Sequence, residues 1–203
     1  MSFYDRSAAQ VARDLVGCTV FRRFDDELLA GRIVETEAYV GEEDRACHAS
    51  AGRTQRNAMM FGAPGHAYVF FIYGMYDMLN VVCQPAGRPE AVLLRALEPL
   101  EGIETMRRLR GVRRDVDIAN GPGKLCCAIA VTRDLNGADL RGPDLWISPR
   151  RLRAGESLAT SARVGVDYAG RDALLPLRFY IENNAHVSRG RPADGRRRTR
   201  SRS

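Results

Sequence analysis

Residues 32–48 read RIVETEAYVGEEDRACH, and they constrain the chain more than any other stretch. Taken with the period of two of a β-strand, Ile33, Glu35, Glu37 and Tyr39 fall on one face, and Val34, Thr36, Ala38 and Val40 on the other. One face is apolar and small; the other sets two carboxylates beside an aromatic ring. A carboxylate among apolar neighbours is expensive to bury, and one held ionised in such a place suits general-base chemistry. The same pattern also describes an edge strand with a solvated acidic face. Residues 41–48 read as a loop able to fold His48 back toward the carboxylates.

Composition narrows the class. At 203 residues the chain has the length of one domain with a full core, and its 45% hydrophobic content is that of a globular protein. It has no run of about 18 apolar residues of the kind a membrane-spanning helix needs. The first residues hold no apolar signal core, so a cytoplasmic location is expected. Cys18, Cys47, Cys83, Cys126 and Cys127 form no CxxC pair, which fits a reducing compartment and argues against a disulfide framework or a structural zinc site.

The net charge of +6 belongs to the C-terminus: residues 186–203 carry seven Arg against one Asp, and residues 1–185 sum to zero. That tail, HVSRGRPADGRRRTRSRS, is polar and contains Pro and Gly, so it reads as a disordered extension beyond a folded body of residues 1–185. It can add non-specific affinity for phosphate or simply solubilise, and it does not say what the body binds. Lys124 is the only lysine among 31 basic residues.

Along the chain, residues 5–16 form an amphipathic helix stopped by Gly17, and residues 18–24 and 28–40 form strands. Residues 41–65, with Arg53, Gln55, Arg56 and Asn57 together, form a long loop that is either functional or a mobile insertion. Residues 67–73 and 76–82 are strands joined by Gly74-Met75 as a two-residue type II′ hairpin. Tyr73 and Tyr76 then stand at the tip, either as aromatics for stacking into bases or as a cross-strand pair that stabilises the hairpin. Residues 90–97 form an apolar strand interrupted by Arg95, which calls for a buried carboxylate; Glu37 is a candidate.

Residues 101–110 make a helix ended by Gly111. Residues 120–131, NGPGKLCCAIAV, open with Pro122 and continue as an apolar helix whose N-terminus and Lys124 suit an anion. The GPGK segment lacks the spacing of a nucleotide-binding phosphate loop. Residues 144–148 read as a strand, 164–175 as a turn and short helix, and 177–182 as the last strand.

Two carboxyl groups two residues apart on a strand sit roughly 6–7 Å from each other, a spacing open to a two-carboxylate sugar hydrolase. The single Trp and the lack of an aromatic sugar platform stand against that. Adjacent Cys47 and His48 are poor geometry for a thiol nucleophile, and no His or Cys spacing matches a metal site or a zinc deaminase. What remains is one activated carboxylate, nearby aromatics, a hairpin with tip aromatics and an anion site. Those parts suit an enzyme that extrudes a base from DNA and attacks its sugar. The competing class is a non-catalytic nucleic-acid-binding protein, which has no use for a desolvated carboxylate beside Arg95.

Through RIVETEAYVGEEDRACHASAGRTQRN, MFGAPGHAYVFFIYGMYDMLNVV, VLLRALEPLEGIETMRRLR, GPGKLCCAIAV and PLRFYI, in that order, the chain resembles the alkyladenine (3-methyladenine) DNA glycosylase family. The resemblance covers about residues 4–182 and leaves out the tail. It implies a mixed α/β (α+β) single domain around a curved antiparallel β-sheet, with a protruding β-hairpin and surrounding helices. By position, it implies Glu37 as the base that activates water and Arg95 as the group that helps hold that water. Tyr39 stacks on one face of the flipped base and His48 on the other. Phe70 falls where some members have tyrosine, keeping the stacking without the hydroxyl, and Gln55 where proline is common. Tyr73 is the wedge that enters the minor groove, and Asn80 crowds guanine's exocyclic amine. Met75 beside the wedge and Lys124 are expected to contact DNA; Glu35 is given no chemical step.

The implied partner is double-stranded DNA containing damaged purines, met by a monomer in the cytoplasm at the nucleoid, with no membrane. No metal or organic cofactor is expected. An alkylated base is already cationic and leaves readily, so a positioned water and a base suffice, and a π-rich pocket favours a cation.

Overall fold

Strand β2 (Glu27–Tyr39) is paired along both of its edges, and the rest of the fold is arranged by that pairing. The computed structural model describes residues 3–192; of the basic tail, residues 193–203 lie outside the described residues. One edge of β2 pairs with β5 (Glu90–Glu101). The other pairs first with β1 (Thr19–Phe24) and then, from Glu35 to Glu37, with β8 (Arg178–Ile181). β3 (Ala67–Ile72) and β4 (Tyr76–Cys83) extend the sheet beyond β5, β6 (Leu145–Ser148) extends it beyond β1, and β7 (Leu158–Ser161) pairs with β8. Every pairing is antiparallel, giving one curled sheet in a single α+β domain. β7 is the strand that sequence periodicity misses: LATS is too short and too polar to show alternation.

The acidic stretch is thus no edge strand. Its alternation is also broken, because the register with β5 shifts around Ile33–Thr36. A bulge of this kind adds a residue to one strand and bends it, and here both Ile33 and Val34 enter the main core. Beyond it, Thr36 packs toward α1 (Ala8–Leu15), where its hydroxyl donates to the Ala12 carbonyl at 2.9 Å. Glu35, Glu37 and Tyr39 turn to the opposite face. α1 begins three residues later than its apolar spacing suggests, because Ser7 caps it by accepting from the Gln10 N–H; Gly17 at φ +97° ends it. Its Val11 and Leu15 are fully buried, each contributing roughly 1.5–3 kcal/mol of apolar burial.

The hairpin differs from the expected two-residue turn. Ile72 pairs with Tyr76, so the loop is Tyr73-Gly74-Met75, with Tyr73 at φ +56° and Gly74 at φ +69°. Three-residue loops commonly need a left-handed residue, and a tyrosine there is strained. Tyr76 does not pair with Tyr73 across the tip. Its ring lies against α3 (Pro122–Ala128), where a Cβ on Gly123 would come within 2.7 Å of it. Tyr73 and Met75 are left 77% and 64% exposed. α3 is also shorter than the apolar run suggests, and α2 (Ile103–Arg110) lies between two left-handed glycines, Gly102 and Gly111. Among the described residues no helix is long and apolar enough to cross a membrane.

The irregular segments are tied down by buried charge. Residues 41–65 contain two short 3-10 turns, His48–Ala51 and Ala58–Phe61. Arg163, fully buried, donates to both oxygens of Asp44 at 2.5 and 2.8 Å and to the carbonyls of Ala38 and Asp172. It thereby fastens the loop that carries His48 to the end of β2. The folded body also continues past residue 185: Ser188 is buried and Pro192 bridges Val164. The boundary expected at residue 185 falls before these two contacts.

Removing one partner of a fully buried ion pair leaves an uncompensated charge and costs about 3–5 kcal/mol. Arg163→Met should lower unfolding free energy by that amount in denaturant melts. Arg163→Met combined with Asp44→Asn should lose less than the sum of the two single changes.

Candidate active site

A cavity of about 280 Å³ opens on the face of β2 opposite α1, lined among others by Tyr39, His48, Tyr68, Phe70, Asn80 and Arg95. Tyr73, Pro122 and Tyr168 also line it, as do Val164 to Val166. The period of two in β3 sends Tyr68 and Phe70 to the same side. The 3-10 turn beginning at His48 brings the imidazole to them: His48 meets the Phe70 ring edge-on at 4.4 Å, and its Nδ1 lies 2.9 Å from the Tyr68 hydroxyl. Burial, helped by the nearby Arg56 charge, pushes the His48 pKa down, so the ring is neutral at pH 7. Burial pushes the Tyr68 hydroxyl pKa up, which keeps its proton in place. The Asn80 amide is fixed by donating to the Tyr68 and Met78 carbonyls at 3.1 and 3.3 Å.

Glu37 lies behind this lining, fully buried. Its Oε2 accepts from the Tyr39 hydroxyl at 2.9 Å and from Arg95 Nη1 at 3.1 Å; its Oε1 accepts from the Val164 N–H at 2.7 Å. All three donors belong to residues that line the cavity. A carboxylate has about four acceptor positions, so one remains for a small donor such as water. Tyr39 keeps its proton, because burial and the Glu37 charge push its pKa well up. Its ring also carries the Arg163 guanidinium 4.9 Å from its centroid.

Arg95 does more than face Glu37. Its Nε donates to Glu35 Oε1 at 2.9 Å and its Nη2 to the Ser188 hydroxyl at 3.4 Å. Glu35, fully buried, also accepts from Arg178 Nε at 2.7 Å and from the Ser188 N–H and hydroxyl at 2.7 and 2.9 Å. Arg178, Glu35, Arg95 and Glu37 thus alternate in sign along one buried chain. Burial works against the Arg95 charge, but Glu37 and Glu35 outweigh it and raise its pKa above the usual arginine value.

Of the residues singled out from sequence, Tyr39, His48, Phe70, Asn80, Arg95 and Tyr73 surround one cavity, with Glu37 directly behind it. Met75 and Lys124 stand outside the lining. Lys124 Nζ donates to Asn120 Oδ1 at 2.7 Å beside the first turn of α3. Sequence reasoning missed Tyr68, Arg178, Ser188 and the Val164 N–H. Tyr68 was within reach, standing two residues before Phe70 on the same strand. Arg178 was too, as a second lone arginine in an apolar strand.

Because the His48 pKa is lowered by folding, the unfolded chain binds more protons just below pH 6.5. Stability should therefore fall as the pH drops below about 6.5. His186, also lowered by burial, adds to this in the same direction. His48→Gln should flatten the fall in melting temperature between about pH 7 and 5 without abolishing it.

Comparisons with known proteins supply the family. The family model described as Methylpurine-DNA glycosylase (MPG) matches residues 2–185. A relative from Methanocella arvoryzae is 53% identical over 194 residues, covering 95% of this chain and 96% of its own. One from Carboxydothermus hydrogenoformans is 47% identical over 188 residues, covering 92% and 96%. Both carry the name "Putative 3-methyladenine DNA glycosylase". With a buried carboxylate at an aromatic cavity and a match along nearly its whole length, the chain belongs to the methylpurine-DNA glycosylase family, DNA-repair hydrolases of the N-glycosidic bond.

Proposed function

We propose that this glycosylase flips single alkylated purines, 3-methyladenine and 7-methylguanine foremost, out of duplex DNA and hydrolyses their N-glycosidic bond with a water activated by Glu37. The observation that carries the reading is Glu37 itself: a fully buried carboxylate held by three donors, with one acceptor position left, behind the wall of an aromatic cavity. The flipped base lies between Tyr39 and the His48–Phe70 pair, and Asn80 crowds the exocyclic amine of guanine. Water adds through its oxygen to C1′ of the deoxyribose, Glu37 takes its proton, and the C1′–N bond breaks with its electron pair leaving on the base. A cationic alkylated base departs neutral, so no acid is required at that side. Arg95 holds Glu37 and the water in line, and the carboxylate also faces the positive charge developing on the sugar. The product is an abasic site.

Tyr73 fills the stack that the nucleotide vacates. Unstacking a step takes a few kcal/mol, and an exposed ring at a strained hairpin tip is placed to recover it. The protein acts as a monomer on one lesion at a time, and hypoxanthine, being neutral, is taken only as far as hydrogen bonds in the cavity recognise it.

Glu37→Gln should keep affinity for a duplex with an uncleavable abasic-site analogue. It should lose single-turnover base release by a factor on the order of 10² or more. Release near the wild-type rate from a folded variant sinks the assignment. Tyr73→Ser should leave the melting temperature unchanged, since the ring has no packing partner across the hairpin, while excision from a matched duplex drops sharply. A folded Tyr73→Ser protein with wild-type excision refutes the wedge.

A further inference from the structure

We propose that residues 188–192 form a strap that sets the geometry of the catalytic pair, with Ser188 as its positioning residue. The inference rests on the reading of Glu37 as the water-activating base. The segment lies past the region matched by the family and past the point where sequence composition turns to a basic tail.

The strap reaches the chemistry by two routes. At one end, Ser188 supplies two of the donors on Glu35, its N–H at 2.7 Å and its hydroxyl at 2.9 Å. The same hydroxyl accepts from Arg95 Nη2 at 3.4 Å, and the Ser188 carbonyl accepts from Arg178 Nη2 at 3.5 Å. Every nitrogen of the Arg95 guanidinium is thereby assigned: Nε to Glu35, Nη2 to Ser188, and Nη1 to Glu37. A guanidinium is a rigid fork on a flexible stem, so the first two contacts decide where the third points.

At the other end, Gly190 lies against Val164 so closely that a Cβ on it would come within 2.5 Å of Val164 Cγ1, and Pro192 bridges the Val164 backbone. Val164 is the residue whose N–H holds Glu37 Oε1. A five-residue stretch therefore braces Glu37 through a side chain on one side and through a main-chain donor on the other. Residues 188–192 do not themselves line the cavity, so loss of the strap acts on alignment rather than on DNA binding. Misplacement of a reacting group by about 1 Å is enough to slow chemistry on the order of 10²-fold.

The test uses Ser188→Ala, Ser188→Thr, a chain ended after Val187 and a chain ended after Pro192, beside Glu37→Gln. Each is measured for melting temperature, affinity for a duplex with an abasic-site analogue, and single-turnover release of 7-methylguanine at saturating enzyme. Ser188→Ala should slow release about tenfold, and truncation after Val187 on the order of 10²-fold, with analogue affinity unchanged. Ser188→Thr should recover the rate, and the chain ended after Pro192 should retain it. Should the shorter truncation fail to fold, Ser188→Ala carries the test alone, since it removes only the hydroxyl. Wild-type release by folded Ser188→Ala, or a rate loss that merely follows the folded fraction, overturns the strap while a dead Glu37→Gln leaves the base assignment standing. Wild-type release by Glu37→Gln overturns both.

Discussion

Four charged side chains buried in a row, Arg178, Glu35, Arg95 and Glu37, are the constraint around which the structure is arranged. Each ion removed from water costs several kcal/mol, and mutual attraction offsets this only where the geometry is good and the remaining donors and acceptors are satisfied. Here the signs alternate and the chain is neutral as a whole. All but one acceptor position of Glu37 are filled, by Arg95, Tyr39 and Val164, and Ser188 donates to Glu35; Tyr39, Val164 and Ser188 come from three separate segments. Such a cluster adds little to stability compared with an apolar core. It does fix one arrangement, since any other leaves a buried charge unpaired.

That requirement explains the place of β2. A strand residue can hold a carboxylate at a defined point only if its backbone cannot slide, and Glu35–Glu37 is the stretch of β2 with β5 on one edge and β8 on the other. The register shifts between Ile33 and Thr36 separate two duties. Upstream, Ile33 and Val34 both feed the apolar core; downstream, Thr36 turns to α1, Ala38 to the same core, and the two glutamates to the buried ion pairs with Arg95. The neighbouring strands contribute the countercharges from opposite sides, Arg95 from β5 and Arg178 from β8, so sheet register and ion pairing specify each other.

Much of this could be read from the chain. The alternation in RIVETEAY placed both glutamates on one face, and the lone Arg95 in an apolar strand called for the carboxylate it has. Most strands were legible because their apolar spacing is local. What escaped is long-range or main-chain in origin. The Val164 N–H has no side-chain signature. Ser188 sits in a stretch whose composition is that of a solvated tail, and only its contact with Glu35, 153 residues away, shows otherwise. The hairpin turn was misread by one residue because a tyrosine at positive φ is a poor local choice. The local rule fails where the proposed function needs an exposed ring.

The electrostatics of the cavity wall follow from the same economy of charge. Among the described residues, Arg95 is the one charged side chain on the wall around the proposed base, and its charge is matched by two carboxylates behind it. His48, which could have added a second positive charge, is kept neutral by burial beside Phe70 and Tyr68. In the proposed pose, a cationic purine between Tyr39 and His48 would meet π faces and a neutral imidazole, where an imidazolium would repel it. A neutral purine gains less from those faces while displacing the same water. On the proposed function, discrimination in favour of alkylated bases would then arise in part from keeping a histidine uncharged.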